Sequence, residues 1–193
     1  MTTINITKMQ GCGNDFVILD YCEFEKTKLT MSELAKKICN RHFGIGADGM
    51  IIPDINSANE TDIGWDFYNS DGTTAQMCGN GMRCFAKYVY DNKLVNKKSF
   101  CVNTLAGIIK PEILDNGFVK VNMGTPILEE EKIPFKGNHQ VHIKGEKFNI
   151  TPVSMGNPHC VIFTDKDTMY CAKTYGPDMD CLLYTSDAAD ERS

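Results

Sequence analysis

Short strand-like runs of apolar residues dominate this chain, and helical spacing replaces them in only two places. Strands are predicted over residues 4–9, 16–19, 49–52, 65–69, 100–103, 108–113 and 118–123. Asp115-Asn116-Gly117 predicts a hairpin turn between the last two. One helix is predicted to begin at a capping box formed by Thr30 and Glu33. Another is predicted over residues 79–92, where apolar residues fall at helical spacing: Met82, Phe85, Ala86, Val89 and Tyr90. Because strands and helices do not alternate regularly, this pattern favours an α+β fold over a doubly wound parallel sheet.

The sequence changes in character near residue 125, where Thr125-Pro126 introduces a polar stretch rich in glutamate. We therefore predict an N-terminal domain over residues 1–124 and the start of a second domain over residues 125–180. Residues 181–193 show neither an apolar period nor a helix cap. They resemble a translated sequencing adapter more than a protein that evolved to fold, and we predict that they form a non-native tail.

Composition excludes several classes of partner. The net charge is −5 and no basic cluster interrupts it, which argues against a nucleic-acid surface. No apolar run approaches the ~18 residues of a membrane-spanning helix. The nine cysteines are scattered and contain no Cys-x-x-Cys pair, as expected for reduced thiols. The sequence therefore predicts a cytoplasmic protein without a nucleic-acid or membrane partner.

Residues 77–84 carry the strongest indication of chemistry, because Cys78 directly precedes two glycines and a helical pattern. A thiol at a helix N-terminus meets unpaired N–H groups and the positive end of the helix dipole, and both favour the thiolate. Gly79 and Gly81 leave neighbouring amides uncovered, so a small anion could share them. The alternative is a buried structural cysteine, which is the commoner role of a free thiol and the one predicted for Cys84.

Several asparagines and one histidine stand beside turn residues at strand or helix ends. These residues are Asn14, Asn69, Asn80, Asn157 and His159. Each asparagine alone is more typical of a turn, but as a set they suit an amino-acid substrate, since an amide both donates and accepts. His159 could share a proton with a nearby thiolate, or it could be an ordinary core histidine.

Two further patterns invite a metal or a nucleotide, and neither is predicted. His139 and His142 are three positions apart in a strand, so they face opposite sides, and no third ligand joins them at suitable spacing. The glycine-rich residues 41–49 precede a strand, whereas a phosphate-binding loop precedes a helix. We interpret that loop as a tight turn lining a site, and we predict no metal site.

Separate segments of the chain together resemble the diaminopimelate epimerase family. They are residues 11–16, 41–49, 67–72, 77–86, 153–161 and 176–177. The resemblance implies a cofactor-independent isomerase that interconverts LL- and meso-diaminopimelate in lysine and peptidoglycan precursor synthesis. It also implies two pseudo-symmetric halves, each a β-barrel-like sheet around a central helix, and a homodimer of the full-length protein. The amino-acid substrate would be the small-molecule partner.

The same resemblance implies roles for individual residues. In the family one cysteine thiolate removes the Cα proton and a second cysteine delivers a proton to the opposite face. Cys78 matches the first of these catalytic cysteines. The positions that match substrate-binding residues are Asn14, Asn69 and Asn157, with Gly79 and Asn80 through their backbone amides. His159 matches a residue that adjusts the pKa values of the thiols.

Departures from the family pattern leave alternatives open. Gly49 stands where some members have glutamine. The second catalytic cysteine and a Glu-Arg substrate clamp are expected beyond residue 193, so the second half is expected to be incomplete and this chain inactive by itself. One alternative is a related two-cysteine racemase acting on histidine or proline. Another is a non-catalytic binding module in which Cys78 is structural.

Overall fold

A computed structural model of the chain describes residues 3–56, 61–133, 138–155 and 158–188. Backbone contacts divide the chain into two compact units, Met1–Met123 and Gly124–Ser193, and each is described by itself. Over the described ranges, no helix is long and apolar enough to cross a membrane.

Strands of the first unit form one mixed sheet in the order β1-β2-β3-β4-β5-β6. They are β1 (Thr7–Gly11), β2 (Asn14–Ile18), β3 (Gly49–Asp54), β4 (Ile63–Asn69), β5 (Val102–Thr104) and β6 (Gly107–Ile109). β2 is parallel to β3 and β4 is parallel to β5, whereas the other neighbours are antiparallel. Parallel neighbours need a crossover. α1 (Tyr21–Glu25) and α2 (Met31–Ile38) lie in the first crossover, and α3 (Gly79–Asp91) lies in the second.

The central strands β2 and β3 are buried on both faces of the sheet. Phe16 and Ile18 pack in the cluster that contains α3, whereas Val17 packs in the cluster that contains α2. Ile51 and Ile52 divide between the two clusters in the same way. Side chains alternate across a strand, so burial on both faces produces a continuous apolar run. This explains why both strands were predictable from their composition.

The helix α3 is the centre of the first unit. Met82, Phe85, Ala86 and Val89 are fully buried, as their helical spacing predicted. The six-stranded sheet covers one side of the helix. A hairpin of β7 (Pro111–Ile113) and β8 (Val119–Val121) also packs against it. The predicted turn in that hairpin is confirmed, since Gly117 has a φ of 82°.

The prediction of one strand over residues 108–113 is wrong. The chain forms two short strands there, β6 and β7, which belong to different sheets. β6 pairs with β5, whereas β7 pairs with β8, and the strand is interrupted at Lys110 between them. Glu112 of β7 also bridges to Ser99 in continuation of the β5–β6 register, so the chain keeps its direction and only its pairing changes. Apolar composition alone does not reveal a change of pairing partner.

The second unit contains antiparallel strand pairs and a long helix. Its elements are β9 (Gln140–Ile143), β10 (Glu146–Asn149), β11 (Thr151–Ser154), β12 (Pro158–Val161) and α4 (Thr168–Ala188). β9 pairs with β10, and β11 pairs with β12. Tyr175 of α4 packs with Ile143 and Phe148 in a small core. The helical backbone continues through residues 181–188, which were predicted as a non-native tail.

The mixed sheet with helices confirms the predicted α+β class. The two pseudo-symmetric barrel-like halves stay a prediction, because the two units are each described only by themselves.

The predicted helix start at Thr30 is also confirmed. The Thr30 side chain accepts from the Glu33 amide, and the Glu33 side chain accepts from the Thr30 amide.

Candidate active site

Cys78 is the N-cap residue of α3. Its backbone is extended, with φ −144° and ψ 113°, and its Sγ accepts a hydrogen bond from the Gly81 N–H at 3.3 Å. The Cys78 carbonyl accepts the first intrahelical bond, from Met82, at 2.8 Å. The sulfur therefore lies where the first-turn N–H groups and the helix dipole favour negative charge. The side chain is partly exposed, so a ligand can reach it.

The amides of Gly79 and Asn80 belong to the same first turn of α3. Amides in this turn have no acceptor within the helix, so they are available to an anionic group. A Cβ on Gly81 would lie 3.4 Å from the Cys78 Cβ and 3.5 Å from Ile51 Cδ1. Both are ordinary van der Waals distances, which shows that the start of α3 packs closely against Cys78 and the sheet.

The β1–β2 turn brings Asn14 to the N-terminus of α3. Cys12 and Gly13 form a two-residue turn with φ values of 55° and 84°, the left-handed geometry of a tight hairpin. A Cβ on Gly11 would lie 3.2 Å from the Asn80 carbonyl oxygen, so glycine permits this close approach. Asn14 Oδ1 then lies 3.6 Å from Cys78 Sγ and 3.4 Å from Asn80 Nδ2. Asn14 thus contacts two other predicted site residues, Cys78 and Asn80.

Asn69 is the last residue of β4 and lies next to the end of the loop of residues 41–49. Its backbone pairs with Gly49 in the sheet, and the Ser70 N–H donates to the Asp48 carbonyl at 3.1 Å. The Asn69 side chain donates to Thr73 Oγ1 at 3.0 Å within its own turn. In this structure the amide therefore does what the simpler turn interpretation predicted.

The remaining predicted residues belong to the second unit. His159 lies in β12, where it is exposed and pairs in register with Val153. Asn157 lies outside the described residues. The substrate role of Asn157 and the effect of His159 on a thiol therefore stay predictions.

A charged network behind Asn14 was missed by the sequence reasoning. Asn14 Nδ2 donates to Asp48 Oδ2 at 2.6 Å, and Arg41 Nη2 donates to Asp48 Oδ1 at 2.7 Å. Arg41 also pairs with Asp15 at 2.8 Å, and Lys8 pairs with Asp15 at 3.1 Å. The hydrogen bond from Arg41 is the main reason why the pKa of Asp15 falls well below its usual range. The only available signal was that residues 41–49 were expected to line a site.

Close packing around Gly49 gives a physical reason why this chain has glycine at the position where a glutamine was considered. A Cβ there would lie 2.6 Å from Phe67 Cε2 and 2.9 Å from the Tyr68 carbonyl oxygen. A glutamine would require the ring of Phe67 and the neighbouring strand to move. The site of this chain is therefore built without a side chain at position 49.

Other cysteines near the site differ from Cys78 in environment. Cys84 is buried on α3, as predicted, and burial raises its pKa to about 11. Burial also raises the pKa of Cys39 to about 11. Such thiols remain protonated near neutral pH and are poor nucleophiles. Among the residues that the structure describes, no group of three or more His, Cys, Asp or Glu side chains could hold a metal ion.

Comparisons with known proteins agree with the family resemblance. The family model described as diaminopimelate epimerase matches residues 6–129. A diaminopimelate epimerase of Desulforapulum autotrophicum is 50% identical over 174 residues, which cover 84% of this chain and 61% of that protein. One of Carboxydothermus hydrogenoformans is 45% identical over 176 residues, covering 88% of this chain and 64% of that protein. The chain thus spans less than two thirds of the length of these relatives.

Among solved structures, a probable proline racemase from Agrobacterium radiobacter K84 is similar in fold. Its TM-score is 0.59 at 11% sequence identity, over 83% of this chain and 52% of that chain. Identity this low shows a shared fold and carries no information on substrate.

Proposed function

Since this chain belongs to the diaminopimelate epimerase family, we propose that it carries one half of the active site of a cofactor-independent isomerase. The proposed reaction interconverts LL- and meso-diaminopimelate, which supplies lysine and peptidoglycan precursors. The observation that carries the proposal is the position of Cys78, whose sulfur caps α3 and accepts from the Gly81 N–H. A thiol in this position can exist as a thiolate and can remove a proton.

The chemistry requires a weakly acidic Cα–H bond to break. In the proposed step the Cys78 thiolate takes the proton, and the electron pair of the Cα–H bond passes into the adjacent carboxylate group. Oriented N–H donors are the means of stabilising this charge without a cofactor. Gly79 and Asn80 offer such donors from the first turn of α3.

Inversion requires a second group on the opposite face of Cα, because one fixed base returns the proton to the side from which it came. We propose that a second cysteine thiol delivers that proton. Cys78 and this second thiol exchange roles when the reaction runs in the opposite direction. One thiol serves one face only, so the 193-residue chain alone is expected to be inactive.

The polar residues around Cys78 are proposed to bind the substrate. Asn14 and Asn80 contact each other beside the sulfur, and Asn69 lies at the end of β4 in the same sheet. We propose that Asn157 also binds the substrate and that His159 adjusts the pKa of a thiol. No metal and no cofactor are part of the proposal. We further propose a cytoplasmic location and a homodimer of the full-length protein.

The proposal is tested with a chimera that completes the site. The residues of this chain that align to the Desulforapulum autotrophicum relative are joined to the remaining residues of that relative. We expect the chimera to convert LL-diaminopimelate to the meso form without added cofactor. Conversion is followed by chiral chromatography, with L-proline and L-histidine as comparison substrates. A stably folded chimera that racemises either of these and leaves diaminopimelate unchanged would contradict the proposal.

A further inference from the structure

We propose that Asp48 is a positioning residue that fixes the side-chain amide of Asn14 in one of its two orientations. In that orientation Asn14 presents its oxygen, and not its N–H group, to the sulfur of Cys78. Asp48 would then influence proton transfer at Cys78 without touching the sulfur or the substrate.

The chemistry of Asp48 determines which way the Asn14 amide points. Asp48 Oδ2 lies 2.6 Å from Asn14 Nδ2 and also accepts from the Asp15 backbone N–H at 3.1 Å. An ionised carboxylate can only accept hydrogen bonds, so the amide atom that faces it must be the NH₂ group. Reversing the amide would place two oxygens in contact. Oδ1 of Asn14 must therefore face the other side, towards Cys78 and Asn80.

Asp48 is itself held firmly in place. Arg41 donates to Asp48 Oδ1 at 2.7 Å and to Asp15 Oδ1 at 2.8 Å, so one guanidinium joins the two carboxylates. The backbone N–H of Asp48 donates to the Asp15 carbonyl at 2.9 Å. Because Asp48 is fixed through both its side chain and its backbone, the orientation of Asn14 is set before any substrate binds.

The sulfur of Cys78 consequently lies between one donor and one acceptor. The Gly81 N–H at 3.3 Å stabilises a thiolate, whereas Asn14 Oδ1 at 3.6 Å accepts from the S–H of a neutral thiol. With Asn14 reversed, both neighbours would be donors and the thiolate alone would be favoured. The catalytic meaning of this balance rests on the proposed function, since an epimerase cysteine must take up a proton in one direction and release it in the other.

Other titratable groups near Cys78 come from α3, from the β1–β2 hairpin and from the loop of residues 41–49, which contributes Arg41 and Asp48. On α3 these are Cys84, which is buried, and Arg83, which donates to Asn80 Oδ1 and lies 3.5 Å from Cys12 Sγ. The β1–β2 hairpin contributes Cys12 and, through Arg41, the charges of Asp15 and Lys8. A test must therefore separate the orientation of Asn14 from a simple change in local charge.

The test compares how alkylation of Cys78 by iodoacetamide depends on pH in three forms of the chain. Trypsin cuts after Arg41 and Arg83, and residues 42–83 contain Cys78 as their only cysteine, so mass spectrometry follows this thiol alone. Asp48→Ala removes a charge and frees Asn14 to turn an N–H to the sulfur. Asp15→Asn is the matched control, because it removes a charge from the same network and leaves the bond between Asn14 and Asp48.

We expect Asp48→Ala to lower the midpoint of the alkylation profile by about one pH unit, the effect of exchanging an acceptor for a donor. Asp15→Asn should lower it by about 0.3 unit or less, since only a screened charge is lost. Equal shifts in the two variants, or no shift in Asp48→Ala, would overturn the inference.

A second measurement applies to the unchanged chain and keeps the inference testable if Asp48→Ala does not fold. In ¹⁵N NMR spectra, the side-chain NH₂ of Asn14 should exchange slowly with solvent and show one strongly downfield proton. Asn69 is the internal comparison, because its NH₂ donates to the neutral hydroxyl of Thr73. An Asn14 amide that exchanges faster than that of Asn69 would overturn the inference. Neither measurement uses a substrate, so both outcomes are independent of whether the chimera epimerises.

Discussion

Substituting Cys78 separates its structural role from its chemical role. Alanine removes the acceptor of the Gly81 N–H bond at 3.3 Å and leaves the first turn of α3 without its side-chain cap. Loss of an N-cap acceptor typically costs about 1 kcal/mol of folding free energy. Serine is one of the preferred N-cap residues, so Cys78→Ser should retain the stability of the unchanged chain to within about 0.5 kcal/mol.

Urea unfolding monitored by tryptophan fluorescence measures this difference in stability for the structural unit Met1–Met123, which contains α3. Trp65 is the only tryptophan, and its ring lies 5.7 Å from that of Phe85 on α3, so its emission reports on the packing of that helix. For a urea dependence of about 2 kcal/mol per molar, a loss of 1 kcal/mol lowers the midpoint by about 0.5 M. We therefore expect the urea midpoint of Cys78→Ala to be about 0.5 M lower than that of the unchanged chain. The midpoint of Cys78→Ser should be close to that of the unchanged chain.

Two results would contradict a capping role for the Cys78 sulfur. If Cys78→Ser unfolds at as low a urea concentration as Cys78→Ala, the sulfur stabilises α3 by packing and not by accepting the Gly81 bond. If both variants match the unchanged chain, the contact has no effect on stability.

Further predictions concern the core, pH and the chain by itself. Phe85→Ala should lower the free energy of unfolding by about 3–5 kcal/mol in the same urea assay, because Phe85 is fully buried between α3 and the sheet. The folded-state pKa of Asp15 is depressed, so its stabilising contribution is present above about pH 4 and is lost as pH falls below that. Asp15→Asn should therefore weaken the fall in the urea midpoint between pH 5 and pH 3, and an unchanged fall would contradict the assignment. Incubated with LL-diaminopimelate, the 193-residue chain alone should produce no meso form by chiral chromatography, and Cys78-dependent turnover would contradict the need for a second thiol.

The local features of the fold were predictable, because each depends on neighbouring residues. The spacing of Met82, Phe85 and Val89 predicted α3 and placed Cys78 at its start. The capping box at Thr30 predicted the beginning of α2. Helix caps and apolar periods act over one or two turns, so they are legible in the sequence without knowledge of the tertiary structure.

The features that depend on distant pairing were not predictable. The contact between Asn14 and Asp48 joins residues 34 positions apart, and that between Asn14 and Cys78 joins residues 64 positions apart. Periodicity carries no information on which strands become neighbours, and for the same reason residues 108–113 were predicted as one strand. The family resemblance identified Asn14 as a site residue, but it did not indicate that Asp48 orients its amide.

The central claim is that Cys78 transfers the Cα proton, and isotope exchange in the chimera tests it most directly. In D₂O the chimera should place deuterium at the inverted Cα of diaminopimelate, as followed by mass spectrometry. Cys84→Ala should retain this activity, because Cys84 is buried and its thiol is held protonated. Cys78→Ser should fold and lose inversion by at least about a hundredfold, since a hydroxyl is a far weaker acid than a thiol. Inversion with deuterium uptake at an undiminished rate in Cys78→Ser would contradict the claim.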